Sequence, residues 1–150
     1  MRWQKELILG VVLWAAGTAL AAPVNVRTEG TKSQTVVMCP DCHKKSACAQ
    51  VGDYVVGMSV DLDNAKLGTG RLVAHVQGKD KTPVADAKVS VAISMPDHKH
   101  GGKPLELKQD RKGHYIGTSN RLGMAGRYRA VVSVTPAGGD TVKQAFTFTR

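Results

Sequence analysis

Aromatic residues are scarce in this chain of 150 residues, at 5%. Both tryptophans, Trp3 and Trp14, stand near the start, which leaves Tyr54, Tyr115, Tyr128, Phe146 and Phe148 for the rest. A base-stacking platform needs more aromatics than that. Basic residues outnumber acidic ones by 21 to 12, yet they are scattered and never run beyond adjacent pairs. The pattern is a solvated basic surface and predicts no nucleic-acid partner. No serine sits in a nucleophile elbow, and no glycine-rich phosphate loop precedes a helix. The acidic residues fall mostly in turns or on the outer faces of predicted strands. No catalytic residue is assigned, and the expectation is that the protein is not an enzyme. Beyond the N-terminal segment no helical period of any length is present.

What is present begins with a leader. Arg2 and Lys5 precede an apolar run from Leu7 to Leu20, which is too short to span a bilayer comfortably. Ala19-Leu20-Ala21 and Ala21-Ala22-Pro23 offer small-residue cleavage sites. This predicts a signal peptide over 1–22 and an exported, periplasmic or extracytoplasmic protein. After cleavage it would be soluble and have no stable membrane span. Hydrophobic residues at 42% and charged residues at 22% match an ordinary globular domain. A chain this short buries one core.

Residues 23–53 show no period and hold Cys39, Cys42 and Cys48, so this span reads as a flexible, cysteine-containing segment. From Tyr54 the pattern changes. Tyr54, Val56, Met58, Val60 and Leu62 alternate with Val55, Gly57, Ser59 and Asp61. A period of two marks a half-buried strand. Leu72, Ala74 and Val76 repeat it, with His75 on the polar face and expected in solvent. Ala87, Val89, Val91, Ile93 and Met95 make the clearest strand, and Pro96 ends it because proline lacks the ladder donor. Leu105 and Leu107 form a short strand. Asp110-Arg111-Lys112-Gly113 turns into His114–Ser119. Tyr128 to Val134 and Val142 to Thr149 complete seven short strands. The predicted fold is all-β, an immunoglobulin-like antiparallel β-sandwich over 54–150. An open barrel is the alternative.

In such a sandwich the third and sixth strands are antiparallel neighbours. The end of the strand at Met95 then lies beside the loop holding Met124. Met95, His98, His100 and Met124 can therefore converge at one rim. Thioethers select Cu(I), and imidazoles also admit Cu(II). Copper is the expected cofactor. The competing reading makes Met95 and Met124 gap-fillers of the core. His114, at the start of the fifth strand, falls at the opposite end.

Met95-Pro96-Asp97-His98 with His100, Gly113-His114-Tyr115, Leu122-Gly123-Met124-Ala125-Gly126-Arg127-Tyr128 and the closing Phe146-Thr147-Phe148 resemble the YtkA-like domain, which is related to FixH-type envelope proteins. The resemblance covers about 54–150. It implies an exported immunoglobulin-like sandwich connected with copper handling or respiratory-oxidase assembly, hence an envelope or respiratory-assembly partner. Members often carry a second methionine after Met-Pro, where this chain has His98 and His100.

Cys39-Pro40-Asp41-Cys42-His43 is a second constellation. Cys-x-x-Cys-His is the haem c attachment pattern, with the histidine as proximal ligand. Cys39, Cys42, His43 and Cys48 also make an accepted tetrahedral thiolate metal set. An exported chain equally favours a plain disulfide, with one thiol left over. The leading expectation is an exported metal-binding, metal-delivery protein. An electron-transfer module with covalent haem and a non-catalytic interaction domain are the alternatives.

Overall fold

The structure is a computed structural model. It describes residues 22–29, 46–63, 66–99 and 101–150. The expected leader up to residue 21, and Cys39, Cys42, His43 and His100, lie outside the described residues.

The described residues form ten strands and no helix. Three short ones come first: β1 (Ala22–Val24), β2 (Val26–Glu29) and β3 (Ala47–Val51). The expected seven follow as β4 (Tyr54–Leu62), β5 (Gly68–Gly78), β6 (Lys88–Ser94), β7 (Leu105–Arg111), β8 (His114–Leu122), β9 (Arg127–Thr135) and β10 (Val142–Thr149). Spatial order runs β4-β5-β8-β7 on one side and β6-β9-β10 on the other. That is the constant-type immunoglobulin layout of four strands facing three. β7 also pairs with β6, from Val89↔Leu107 to Val91↔Leu105. The two sheets thus join along one path, and the sandwich approaches a barrel.

The inward residues are those the alternation selects. Val56, Met58, Val60, Leu72, Ala74, Val76, Val89, Val91, Val132 and Val134 are buried between the sheets. Tyr115, Tyr128 and Phe146 are the largest fully buried side chains. Tyr128 stacks on Phe148 with ring centroids 5.2 Å apart. The β7–β8 turn needs a glycine at 113. Its φ is 76°, and a Cβ there would come within 2.9 Å of Pro83 and of the Val76 carbonyl.

Two features add to the expected picture. Among the described residues of 23–53, β1 and β3 both pair with β4, and β2 pairs with β10. Edge pairing uses backbone groups that every non-proline residue carries, so the polar composition of this stretch gave no sign of it. β2 is held further by Gln144, whose Nε2 donates to the Glu29 carbonyl at 3.0 Å. Arg129 reaches Glu29 at 2.6 Å. The second feature is that β4 and β5 are buried on both faces. Val55, Ser59, Val73 and His75 point away from the core, yet they are all buried. His75 is only 5% exposed, so it is not the solvated surface residue its polar-face position suggested. Period two assigns a side chain to a face but says nothing about whether that face is covered.

Candidate functional site

The expected neighbour relation holds: β6 and β9 are antiparallel partners, in register from Lys88↔Thr135 to Ser94↔Arg129. The chain leaves β6 at Met95 and enters β9 at Arg127, so both ends meet at one rim. There Met95 and Met124 line a single cavity of about 370 Å³ with Tyr128, Arg121, Gly101 and Gly102.

The two thioethers sit differently. Met95 is 7% exposed and belongs to the core, whereas Met124 is 47% exposed. Tyr128 fixes the loop that carries Met124. Its hydroxyl donates to the Met124 carbonyl at 2.8 Å and accepts from the Met124 N–H at 3.1 Å. This is the tyrosine-corner arrangement, in which a tyrosine near the start of a strand, here β9, ties back the preceding turn. Gly126 closes the loop with φ 140°, and a Cβ there would lie 3.0 Å from Met95 Cε. The missing side chain lets Met95 reach the loop. Backbone bonds between Gly126 and Arg150 hold the loop to the C-terminus, and Arg150 donates to the Leu122 carbonyl.

The histidines do not follow the thioethers inward. His98 is exposed, and its N–H donates to the Met95 carbonyl at 3.0 Å. It does not line the cavity. His100 lies outside the described residues. Arg121 brings a positive charge to the wall. Its Nη1 donates to the Lys103 carbonyl at 3.0 Å, and the guanidinium lies where a Cβ on Gly102 would stand. Among the described residues no group of three or more His, Cys, Asp and Glu is placed to hold a metal ion. Any metal at the rim would depend on the thioethers. A larger hollow of about 610 Å³ lies elsewhere, lined by Val24, Arg27, Arg127 and Phe148 among others. It contains no methionine, histidine or cysteine, so its size carries no weight for a soft metal.

Of the second constellation only Cys48 is described. It is 2% exposed and disulfide-bonded. The only other cysteines in the chain are Cys39 and Cys42. His114 falls away from the rim, as its place at the start of a strand requires, and stands beside His75.

The residues that sequence reasoning missed are Tyr128, Gly126 and Arg121. Tyr128 and Gly126 had a signal in Gly-x-Tyr at a strand entrance. Arg121 had none, because its place depends on how the β6–β7 loop crosses β8.

A four-on-three antiparallel sandwich with a methionine-lined cavity where the chain enters β9 defines the class: a small immunoglobulin-like domain. The chain belongs to the YtkA-like family, whose pattern matches residues 49–133. No curated protein matches the chain, and no solved structure does.

Proposed function

We propose that the protein is an exported copper-binding, metal-delivery protein of the cell envelope that holds Cu(I) at the rim between β6 and β9. Met95 and Met124 are the leading ligands of this reading, and His98 and His100, from the sequence that follows Met95, are its further candidates. The observation that carries this reading is that two thioethers, 29 positions apart in sequence, line one cavity. Thioether sulfur is the soft, neutral donor that Cu(I) prefers. Neutral donors beside the Arg121 guanidinium bind a cation weakly, which suits a protein that hands its metal on. Export rests on the basic start, the apolar run from Leu7 to Leu20 and the small-residue cleavage sites. The partner is then an acceptor protein of the envelope or of respiratory assembly.

The Cys48 disulfide supports the structural reading of the cysteine segment. A disulfide, a thiolate metal set and a covalent haem all draw on the same three thiols. A bond from Cys48 to Cys39 or Cys42 leaves too few for haem at Cys39 and Cys42.

The test is a Cu(I) titration against a competing chelator, with intact mass of the exported protein recorded alongside. Met95→Leu with Met124→Leu should weaken Cu(I) binding at least tenfold while nearly conserving volume and stability. Cys39→Ser with Cys42→Ser should leave it intact. The opposite result would move the metal to the cysteine segment. A Soret band lost in the cysteine variant would establish the haem reading instead.

A further inference from the structure

A second pair of metal-preferring side chains lies far from the rim. β5 and β8 are antiparallel neighbours, and His75 stands directly opposite His114 in their register. The adjoining pair, Ala74 and Tyr115, points into the core. Side chains alternate along a strand, so both histidines project from the outer face of the sheet. Their ring centroids are 4.5 Å apart, at an interplanar angle of 81°. His75 is buried and His114 half-buried.

We propose that His75 and His114 together bind a divalent transition-metal ion of the imidazole-preferring kind, such as Cu(II), Zn(II) or Ni(II), at a site separate from the methionine rim. Directly opposed residues on antiparallel strands have Cβ atoms about 4.5–5.5 Å apart. Two imidazoles from that spacing can turn their nitrogens onto one ion at the usual distance of about 2.0–2.1 Å. The rings are in edge-to-face contact, so binding turns at least one of them about its side-chain torsions. Imidazole suits these ions, and the divalent series makes Cu(II) the tightest of them. Among the described residues of these two strands, Val73 and Gln77 precede and follow His75 on its face, and Ile116 follows His114; none of the three is a carboxylate. Cys48 belongs to the same cross-strand row, through Cys48↔Gly57 and Gly57↔His75. Two strand spacings, roughly 9–10 Å, separate it from His75, so it is not a ligand to the same ion. Arg111 is a cation beside the pair, with Nη2 3.5 Å from His114 Nδ1. It is exposed and can swing into water when an ion arrives. With two protein ligands, water fills the remaining positions, and exchange is fast.

The test is titration of the protein with Cu(II), followed by electron paramagnetic resonance, and with Zn(II), followed by calorimetry. The protein should take up one ion whose spectrum shows nitrogen coupling. His114→Gln should weaken that uptake at least tenfold with the fold intact by circular dichroism. His75→Gln should do the same, and because His75 is buried the His114 variant decides if it unfolds. Met95→Leu with Met124→Leu should leave Cu(II) and Zn(II) binding unchanged, which separates this site from the rim. Uptake that survives both histidine variants, is lost with the methionines, or is absent at micromolar metal would overturn the proposal.

Discussion

Replacing Tyr128 by Phe removes one oxygen and leaves the buried ring in place. Tyr128 is 1% exposed and stacked on Phe148, so its packing survives. What is lost is the hydroxyl that accepts from the Met124 N–H and donates to the Met124 carbonyl. Each such bond contributes about 0.5–1.5 kcal/mol net. The Met124 loop is exposed, so water can take over the freed backbone groups, and the full desolvation penalty does not apply. The expected loss is about 1–2 kcal/mol. For a domain of this size that lowers Tm by roughly 5–10 °C. In urea the midpoint should fall with an unchanged slope, since the surface exposed on unfolding is the same. On the proposed Cu(I) reading, the loosened loop should also hold Met124 less well, so Cu(I) affinity should fall severalfold although no proposed ligand atom has been removed. A Phe variant as stable as the parent would refute the anchoring role of the hydroxyl. One that loses stability but binds Cu(I) unchanged would refute the link between the tyrosine corner and the site.

Two further outcomes test the fold and its surface. Val91→Asp, at a position 1% exposed in the middle of β6, should leave no cooperative unfolding transition, because it buries an unpaired charge. Lys88→Asp on the opposite face exchanges the exposed 3.5 Å pair with Glu106 for an exposed like-charge contact, and because both side chains are well solvated it should change the urea midpoint far less than Val91→Asp does. Asp80 has its pKa lowered from 3.8, first by the Thr82 hydroxyl and then by the Thr82 N–H. Its folded pKa lies below the unfolded one, so its contribution is present above about 3.8 and is lost as pH falls through the folded value. Thr82→Val should therefore raise the Asp80 pKa toward its ordinary value, measured by carboxyl NMR titration, and an unmoved titration curve would show that the hydroxyl is not the cause.

The alternation from Tyr54 onward determined the strands, the core face and the class of fold. Apolar residues two apart must share a face, and burying that face selects a sandwich. Gly113 and Pro96 were legible for the same kind of local reason, one permitting a positive φ and the other removing a ladder donor. The meeting of Met95 and Met124 was legible one step further out, because the immunoglobulin layout places the third strand beside the sixth. Tertiary structure decided what local pattern does not encode. The edge strands β1, β2 and β3 are held by backbone pairing, which leaves no trace in composition. The burial of His75 depends on the cover over the outer face of β5, and alternation is blind to that. Its pairing with His114 depends on the register between β5 and β8, where a slip of one residue would turn one ring into the core and separate the two histidines.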